Sequence, residues 1–176
     1  MKRVLFFFLM FGFLVGCGFH LRGVEHFPPP LQSMFIETKY PNTPVVLNLR
    51  DKLMDNGVVL TSSPAQALTI LELSQLSISD QAISLLGAGQ ASIHQLTDSL
   101  TYTLRDAKTR KVLLGPITLY KSRNYSTNAS LILSDDYVSN QISHALQKEI
   151  ASGIFAGLSR VDSNVLRDSF HETSAS

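Results

Sequence analysis

The chain has 176 residues with one cysteine, no tryptophan and a formal net charge of +1. This length fits one compact domain, and a hydrophobic fraction of 44% is close to the globular average, which argues against general disorder. The near-zero net charge argues against bulk electrostatic binding to nucleic acid or to anionic membrane. A single cysteine excludes an intrachain disulfide and a cysteine-rich zinc site.

The first sixteen residues have the features of a secretory signal peptide. Lys2 and Arg3 form a short basic start, and an apolar run from Val4 to Val15 follows, interrupted only by Gly12. A helix of this length reaches about 18 Å, which is less than the ~30 Å hydrocarbon core of a bilayer. We therefore predict that residues 1–16 are a signal peptide that is removed from the mature protein.

The sequence Leu14-Val15-Gly16-Cys17 resembles the lipobox of bacterial lipoproteins. In that class the cysteine sulfur carries a lipid and the chain is cleaved before it, so Cys17 becomes an acylated N-terminus. Two or more acyl chains give stable anchoring, at about 0.8 kcal/mol per buried CH₂. Gly18 stands where an aspartate favours inner-membrane retention in enteric bacteria, which points to the outer membrane. The alternative for Cys17 is a free buried thiol.

The mature chain is predicted to contain a spacer, one domain and a tail. Residues 17–33 form the spacer, because the three prolines at 28–30 favour an extended polyproline II conformation. Residues 34–158 form a single domain. Residues 159–176 are polar without an apolar period, and we expect a disordered tail there.

The first helix of the domain is predicted between Thr43 and Gly57. Thr43 suits the N-cap, Pro44 suits the first helical position, and Gly57 suits the position after the last turn. A short strand over residues 34–38 precedes the helix, and a brief strand over residues 58–60 follows it. The apolar stripe of the helix consists of Val46, Leu49 and Leu53.

Longer β segments follow the first helix. Residues 67–78 show a shift of the apolar phase between Leu73 and Leu76, which predicts a bulge. Residues 79–90 contain a hairpin tip, and residues 92–105 return from it with alternating apolar and polar side chains. The tip has the sequence Leu86-Gly87-Ala88-Gly89.

Two residues of the predicted strands break the apolar pattern. Asp98 falls on the apolar face of residues 92–105, so we expect that face to be only partly buried at its start. Pro116 lies in the returning segment 111–125 and predicts an edge position or an irregularity. A loop is predicted over residues 124–134.

The second helix is predicted from Asp135 to Leu158. Ser134 suits its N-cap, and the carboxylates of Asp135 and Asp136 favour the positive end of a helix. The order of the elements predicts an α+β sandwich, with two helices packed on one face of a mainly antiparallel sheet. The apolar stripe of this helix consists of Val138, Ile142, Leu146, Ile150 and Ile154.

No catalytic or metal-binding motif is present. The five histidines include no H-E-x-x-H pair, and there is no G-x-S-x-G elbow. Gly87-Ala88-Gly89 lies between two β segments, which favours a hairpin tip over a phosphate-binding loop. We therefore expect a non-enzymatic protein without metal or cofactor, which acts through binding or architecture.

Candidate binding residues lie on one strand and on two loops. Lys121 and Arg123 alternate with tyrosines, and such cations could hold the phosphates of an amphiphile. An exposed strand face without a ligand is the alternative. Apolar residues on short loops suggest contact with a partner, a lipid or the core. These contact candidates are Leu86 and Gly87 at the hairpin tip and Leu131 and Ile132 before the second helix.

The segment Cys17-Gly18-Phe19-His20-Leu21-Arg22-Gly23 resembles the start of mature LptE-type lipoproteins, in which C-G-[FW]-[HQ]-L-R is characteristic. The order of the predicted elements extends the resemblance over most of the mature chain. The resemblance implies two helices on a four-stranded sheet. It also implies a lipid-anchored lipoprotein at the periplasmic side of the outer membrane. There it plugs the lumen of the β-barrel translocon LptD, helps to assemble it and assists the delivery of lipopolysaccharide.

The sequence departs from this family at two loops. Family members can carry basic residues near the hairpin tip and before the last helix, but residues 85–89 and 131–134 contain no cation. Any binding of lipopolysaccharide phosphates would then fall to Lys121 and Arg123. The alternative function is a stand-alone periplasm-facing lipoprotein that binds a lipopolysaccharide-like amphiphile.

Overall fold

The computed structural model describes residues 27–85, 92–127 and 132–161. These ranges contain two α-helices and one mixed sheet of five strands in the order β2-β1-β3-β4-β5. Strand β1 is parallel to β2 and to β3, whereas the pairs β3–β4 and β4–β5 are antiparallel. The elements are β1 Ser33–Thr38, α1 Pro44–Asp55, β2 Val59–Leu60, β3 Thr69–Leu85, β4 Ser92–Asp106, β5 Val112–Thr127 and α2 Ile132–Ser159.

The predicted α+β architecture is confirmed, with one strand more than the four expected. Residues of both helices and of the sheet share one apolar core, so both helices pack on the same face of the sheet. The fifth strand of the sheet is β2, at the position of the brief strand predicted over residues 58–60, and it pairs with β1 in parallel to complete a β1–α1–β2 crossover. Fully buried members of the core include Leu49 of α1, Leu71 of β3, Leu104 of β4 and Ile150 of α2.

Helix α1 begins at Pro44, as the sequence predicts. Thr43 has the extended conformation of an N-cap, with φ −80° and ψ 150°. Its side chain makes no capping bond, because the hydroxyl donates to the carbonyl oxygen of Tyr40 at 2.8 Å. The predicted boundary is therefore correct, but Thr43 does not cap the helix through its side chain.

Helix α1 ends in a Schellman motif around Gly57. Gly57 has φ +82°, a conformation that side chains with a Cβ rarely adopt. Its N–H donates to the carbonyl of Met54 at 3.0 Å, and the N–H of Val58 donates to the carbonyl of Leu53 at 3.0 Å. These two bonds satisfy the last carbonyls of the helix. The predicted helix end and the burial of the predicted stripe are both confirmed.

The structure departs from the predicted spacer over residues 17–33. Phe27 and Leu31 are 4% and 0% exposed, and both belong to the apolar core. The ring of Phe27 meets the ring of Phe155 edge-on, with 5.4 Å between the centroids. Pro29–Leu31 forms a 3₁₀ turn, which brings Leu31 inward. The packed unit therefore starts by residue 27, because two apolar side chains flank the prolines.

Strand β3 is continuous over a stretch where the sequence predicts two β segments. The predicted bulge between Leu73 and Leu76 is confirmed, since the pairing of β3 with β4 shifts between Ser74 and Ser77. Gln75 lies in this bulge with φ +52°. A second shift lies near residue 83. Beyond the bulge no described side chain of β3 is buried, and Ile78 and Ile83 are 55% and 50% exposed.

Strand β5 lies at one edge of the described sheet, as the proline predicts. The peptide bond between Gly115 and Pro116 is cis, and the pairing of β4 with β5 is irregular beside it. Beyond this point, β5 pairs with β4 without interruption as far as Thr127. The loop predicted from residue 124 is wrong at its start, because residues 124–127 continue the strand.

Helix α2 begins at Ile132, which is earlier than predicted. Ser134 therefore lies inside the helix and is not its N-cap. Leu146, Ile150 and Ile154 are at most 1% exposed, which confirms that half of the stripe, but Val138 is 38% exposed. The reason is that α1 and β1 end short of this region, so the first half of α2 lies on the sheet without a second helix beside it.

Two glycines bring the second half of α2 close to the sheet. A Cβ on Gly153 would lie 3.0 Å from Cδ1 of Leu119, and a Cβ on Gly157 would lie 2.5 Å from Oη of Tyr102. Tyr102 is 3% exposed, and burial raises the pKa of its phenol above the ordinary 10.0. The tyrosine hydroxyl occupies the space that a Cβ at position 157 would need.

This close approach predicts the effect of Gly157→Ala. Overpacking a core costs about 1–3 kcal/mol, and alanine improves helix propensity by about 1 kcal/mol. We therefore expect the free energy of unfolding to fall by about 1 kcal/mol in chemical denaturation. In a Tyr102→Phe background, which lacks the clashing oxygen, the same change should be stabilising. An equal effect of Gly157→Ala in both backgrounds would contradict the contact.

Candidate functional site

Most residues of the predicted lipid and partner contacts lie outside the described ranges. They are Cys17, Leu86, Gly87 and Leu131. Ile132 is the first residue of α2, and its side chain is not among those described. The roles assigned to these residues stay predictions. The candidate site that the structure does describe is the edge of β5 around Lys121 and Arg123.

Lys121 and Arg123 lie on the side of β5 that faces helix α2. In the pairing of β4 with β5, Lys121 is opposite Asp98 and Arg123 is opposite Leu96. Directly opposed residues of antiparallel strands point to the same face, and both partners on β4 are buried. The two cations are exposed. The structure therefore places both predicted cations on one side of the sheet edge.

Arg123 has an ion-pair partner that the sequence did not indicate. Its Nη2 lies 2.8 Å from Oε1 of Glu149 on α2, and the two side chains are 49% and 44% exposed. An ion pair this exposed contributes little to stability, but it lowers the net positive charge that Arg123 offers a ligand. Glu149 lies on the polar flank of α2, 26 residues away, and no local spacing could have identified the pair.

Unlike Arg123, Lys121 has no carboxylate partner in the described part of the chain that would reduce its attraction for an anion. Among residues 27–85, 92–127 and 132–161, its ammonium group has no hydrogen-bond or ion-pair partner. The opposed residue Asp98 directs its carboxylate under α2 instead. Of the two predicted ligands for an anion, Lys121 is therefore the freer one.

Asp98 is fully buried, contrary to the expectation of a partly open face. Its Oδ2 accepts a hydrogen bond from Oγ of Ser143 at 2.6 Å and another from Nε2 of Gln147 at 3.2 Å. Both donors lie on α2. Its Oδ1 has no hydrogen-bond partner in the described part of the chain. A buried carboxylate requires such donors, because transfer of an unpaired charge out of water costs several kcal/mol.

The hydrogen-bonded group around Asp98 also includes helix α1. Oε1 of Gln147 accepts a hydrogen bond from the backbone N–H of Val45 at 3.3 Å, in the first turn of α1. Helix N-termini leave such N–H groups without intrahelical partners. Gln147 therefore joins β4, α2 and α1 at one buried point, and it supplies the cap that Thr43 does not.

A second polar cluster joins strands β3, β4 and β5. Asp80 of β3 lies with Oδ1 3.1 Å from Nδ1 of His94 on β4, and its Oδ2 accepts a hydrogen bond from the hydroxyl of Tyr125 on β5. The rings of His94 and Tyr125 are 5.4 Å apart at 41°. Tyr125 lies on the same face of β5 as Lys121 and Arg123, and its hydroxyl is bound to Asp80. Neither His94 nor Asp80 was a sequence candidate, since they meet only through strand pairing.

The basic cluster near residues 105–111 forms an ordered turn. Oδ1 of Asp106 accepts hydrogen bonds from the backbone N–H groups of Lys108 and Thr109 at 3.0 and 2.7 Å. Arg105 and Arg110 are paired with carboxylates of the neighbouring strands, Glu72 and Glu37, at 2.8 and 3.1 Å. Because Arg105 and Arg110 are already paired, this turn offers an anion less positive charge than its sequence suggests.

Two properties of the described residues limit the chemistry of the site. Within those ranges, no three histidine, cysteine, aspartate or glutamate side chains are placed as a metal-binding group. Neither α1 nor α2 combines the length and the apolar character needed to cross a membrane. What the described surface offers to a ligand is a pair of cations on one face of β5 and hydroxyl and amide groups on the other face.

A family model described as LptE, lipopolysaccharide-assembly, matches residues 31–158. The match covers both helices and all five strands. The chain belongs to the LptE family.

Curated relatives of this LptE-family chain carry the name LPS-assembly lipoprotein LptE. The protein of Photorhabdus laumondii subsp. laumondii is 29% identical over 112 residues, which are 58% of this chain and 62% of the relative. The protein of Yersinia enterocolitica is 31% identical over 97 residues, which are 53% of this chain and 47% of the relative. The aligned part thus spans less than two thirds of the length of these relatives.

Solved structures agree on the fold of the LptE-family chain. Rare lipoprotein B from Shewanella oneidensis superposes with a TM-score of 0.63 at 14% identity, covering 75% of this chain and 97% of that one. Lipoprotein B from Nitrosomonas europaea gives a TM-score of 0.62 at 17% identity, covering 82% and 90% of the two chains. At these identities the likeness shows a shared fold alone.

The Asp98 cluster predicts unequal effects for two serines of α2. Ser143→Ala removes a donor to a buried carboxylate, and we expect the free energy of unfolding to fall by about 1.5–3 kcal/mol. Ser139→Ala is the matched control, because its hydroxyl donates to the carbonyl of Asp136 at the surface of the same helix. The control should change stability by less than about 0.5 kcal/mol. Equal losses in thermal or chemical unfolding would contradict the role of the cluster.

Proposed function

We propose that this LptE-family chain is a lipid-anchored lipoprotein of the outer membrane that plugs the lumen of an LptD-type β-barrel. It helps that barrel to assemble and to deliver lipopolysaccharide to the cell surface, and it does so without catalysing a reaction. The observation that carries the proposal is the family match over residues 31–158. The names of the relatives, LPS-assembly lipoprotein LptE, support it.

The lipid anchor is the second part of the proposal. Cys17 follows the signal peptide in a lipobox, and its acyl chains hold the mature domain at the periplasmic side of the outer membrane. The described domain starts by Phe27, which is buried in the core. Residues 17–26 therefore connect the anchor to the domain, and the domain stays within a few tens of ångströms of the bilayer.

Plugging needs a well-packed body and many weak contacts, and it does not need a catalytic constellation. The two helices and the sheet of the LptE-family domain share a single core, which favours a rigid body. The predicted hairpin tip with Leu86 and Gly87 and the segment with Leu131 and Ile132 at the start of α2 are the proposed contacts with the barrel, because both segments carry apolar residues.

A second candidate function is a stand-alone lipoprotein that binds a lipopolysaccharide-like amphiphile. The observation that favours it is the placement of Lys121 and Arg123 on one side of the β5 edge, with Lys121 unpaired among the described residues. Cations at such a site attract the phosphates of a lipid headgroup. The two functions differ in whether the barrel is needed.

The barrel partner is tested by site-specific photo-crosslinking in cells. A photoreactive residue at position 86 or 131 should give a crosslink to a large outer-membrane barrel, and the full chain should co-purify with that barrel in detergent. The matched control is position 54, an exposed methionine of α1 at the other end of the domain. A chain that is solely monomeric in native membranes, with no crosslink from either loop, would contradict the plug function.

The anion site is tested by Lys121→Ala combined with Arg123→Ala. Each lost charge-assisted hydrogen bond is worth about 1.5–3 kcal/mol, so lipopolysaccharide binding by the isolated chain should weaken at least about tenfold. The matched control, Arg50→Ala with Lys108→Ala, removes the same charge from exposed positions elsewhere. Unchanged binding in the first double variant would remove the site assignment and leave the barrel test unaffected.

A further inference from the structure

Four successive rows of residues around and beyond the bulge at Gln75 contain only neutral side chains, on the face of β3, β4 and β5 that points away from the helices. The strand pairing places these residues in rows across the three strands. We call this surface the neutral face. Its rows are Ser74, Thr101 and Thr118; Ser77, Ser99 and Tyr120; Ser79, Thr97 and Ser122; and Gln81, Gln95 and Asn124. The next row on this face contains Ile93 of β4, between Ser84 and Ser126.

The absence of charge on the neutral face is unusual for a surface in water. A typical protein surface is about 25–35% charged, so about three or four charges would be expected on an area of this size. The opposite face of the same strands carries Asp80, Asp98, Lys121 and Arg123. Neither described helix covers the neutral face, since both pack on the other side of the sheet. Its composition therefore differs both from a core and from an ordinary solvated surface.

Tyr120 gives the neutral face one apolar contact. It is 72% exposed, and it lies on the edge strand between the exposed residues Thr118 and Ser122. Around it the face contains hydroxyls and amides, which donate and accept hydrogen bonds equally well. Four of these groups already pair across β4 and β5. Nε2 of Gln95 donates to Oδ1 of Asn124 at 3.3 Å, and the hydroxyl oxygens of Thr101 and Thr118 are 2.8 Å apart.

We propose that the neutral face binds the uncharged sugar chain of lipopolysaccharide. Sugar hydroxyls match a surface of hydroxyls and amides in both directions of hydrogen bonding, and the flat tyrosine ring can contact the apolar face of a sugar ring. A neutral ligand leaves no charge unpaired on a neutral surface. The proposal rests on the proposed function for the source of the sugar.

The composition of the neutral face disfavours other partners. Protein interface cores are enriched in aromatic residues, methionine and arginine and are depleted in serine, whereas serine and threonine dominate here. Nucleic acid and anionic membrane both require clustered cations, and this face has none. A sugar chain is the ligand class whose chemistry fits hydroxyls, amides and a single ring.

The test measures binding of two probes to the full lipidated chain in detergent by calorimetry. The first probe is a phosphate-free oligosaccharide released from lipopolysaccharide, and the second is lipopolysaccharide truncated to its phosphorylated lipid and innermost sugars. Tyr120→Ala should weaken oligosaccharide binding about tenfold and leave the truncated probe unchanged, whereas Tyr120→Phe should keep the affinity. Raising salt to about 1 M should leave oligosaccharide binding unchanged, because no charges are involved.

The matched control is Tyr137→Ala, a tyrosine of α2 that is 67% exposed and lies on another face. No detectable oligosaccharide binding, or equal effects of the two tyrosine changes, would overturn the proposal. A loss of barrel co-purification in Tyr120→Ala with unchanged oligosaccharide binding would also overturn it, since the face would then be a protein contact. The calorimetric results leave the proposed plug function untouched, because the crosslinks from positions 86 and 131 test that function separately.

Discussion

The buried carboxylate of Asp98 is the constraint on which the arrangement of the helices depends. A charge removed from water must be hydrogen-bonded, and its two donors lie one helical turn apart on α2. One of them, Gln147, also accepts from the first turn of α1. Sliding or rotating α2 would leave the carboxylate unpaired, and shifting α1 would break the bond between Val45 and Gln147. An apolar contact could be repacked at small loss, but this cluster fixes one alignment of sheet and helices.

That alignment divides the molecule into two parts. On one side of Asp98, both helices cover the sheet, and the core residues are almost fully buried. On the other side, only the first half of α2 lies on the sheet, because β1 ends at Thr38 while β3 continues to Leu85. The side chains of Lys121, Arg123 and Asp80 are therefore displayed there. The candidate site exists because the sheet is longer than the layer of helices that covers it.

The sequence predicted those features that are decided locally. The start of α1, its glycine stop, the bulge after Leu73 and the edge position of the proline-containing strand all follow from short-range chemistry. The pair Arg123–Glu149 and the Asp80 cluster could not be predicted, because their members meet only through tertiary packing. The sequence pattern around Asp98 indicates a partly open face, whereas the residue is fully buried. A single aspartate on an apolar strand face is compatible either with an exposed end of the strand or with a buried hydrogen-bonded cluster. The hydrogen-bond donors on α2 that make the cluster possible are 45 or more residues away in the sequence.

The alternation of side chains along β5 keeps the two proposed sites apart. Lys121 and Arg123 point towards α2, while Tyr120 and Ser122 point to the opposite face, although the four residues are consecutive. One edge strand can therefore present cations to the phosphates of a lipid and neutral groups to its sugars. The two sets of side chains lie on opposite faces of the same strand, so a substitution on one face leaves the side chains of the other face unchanged. An amphiphile that carries phosphate and sugar in one molecule is the ligand class that both proposals share.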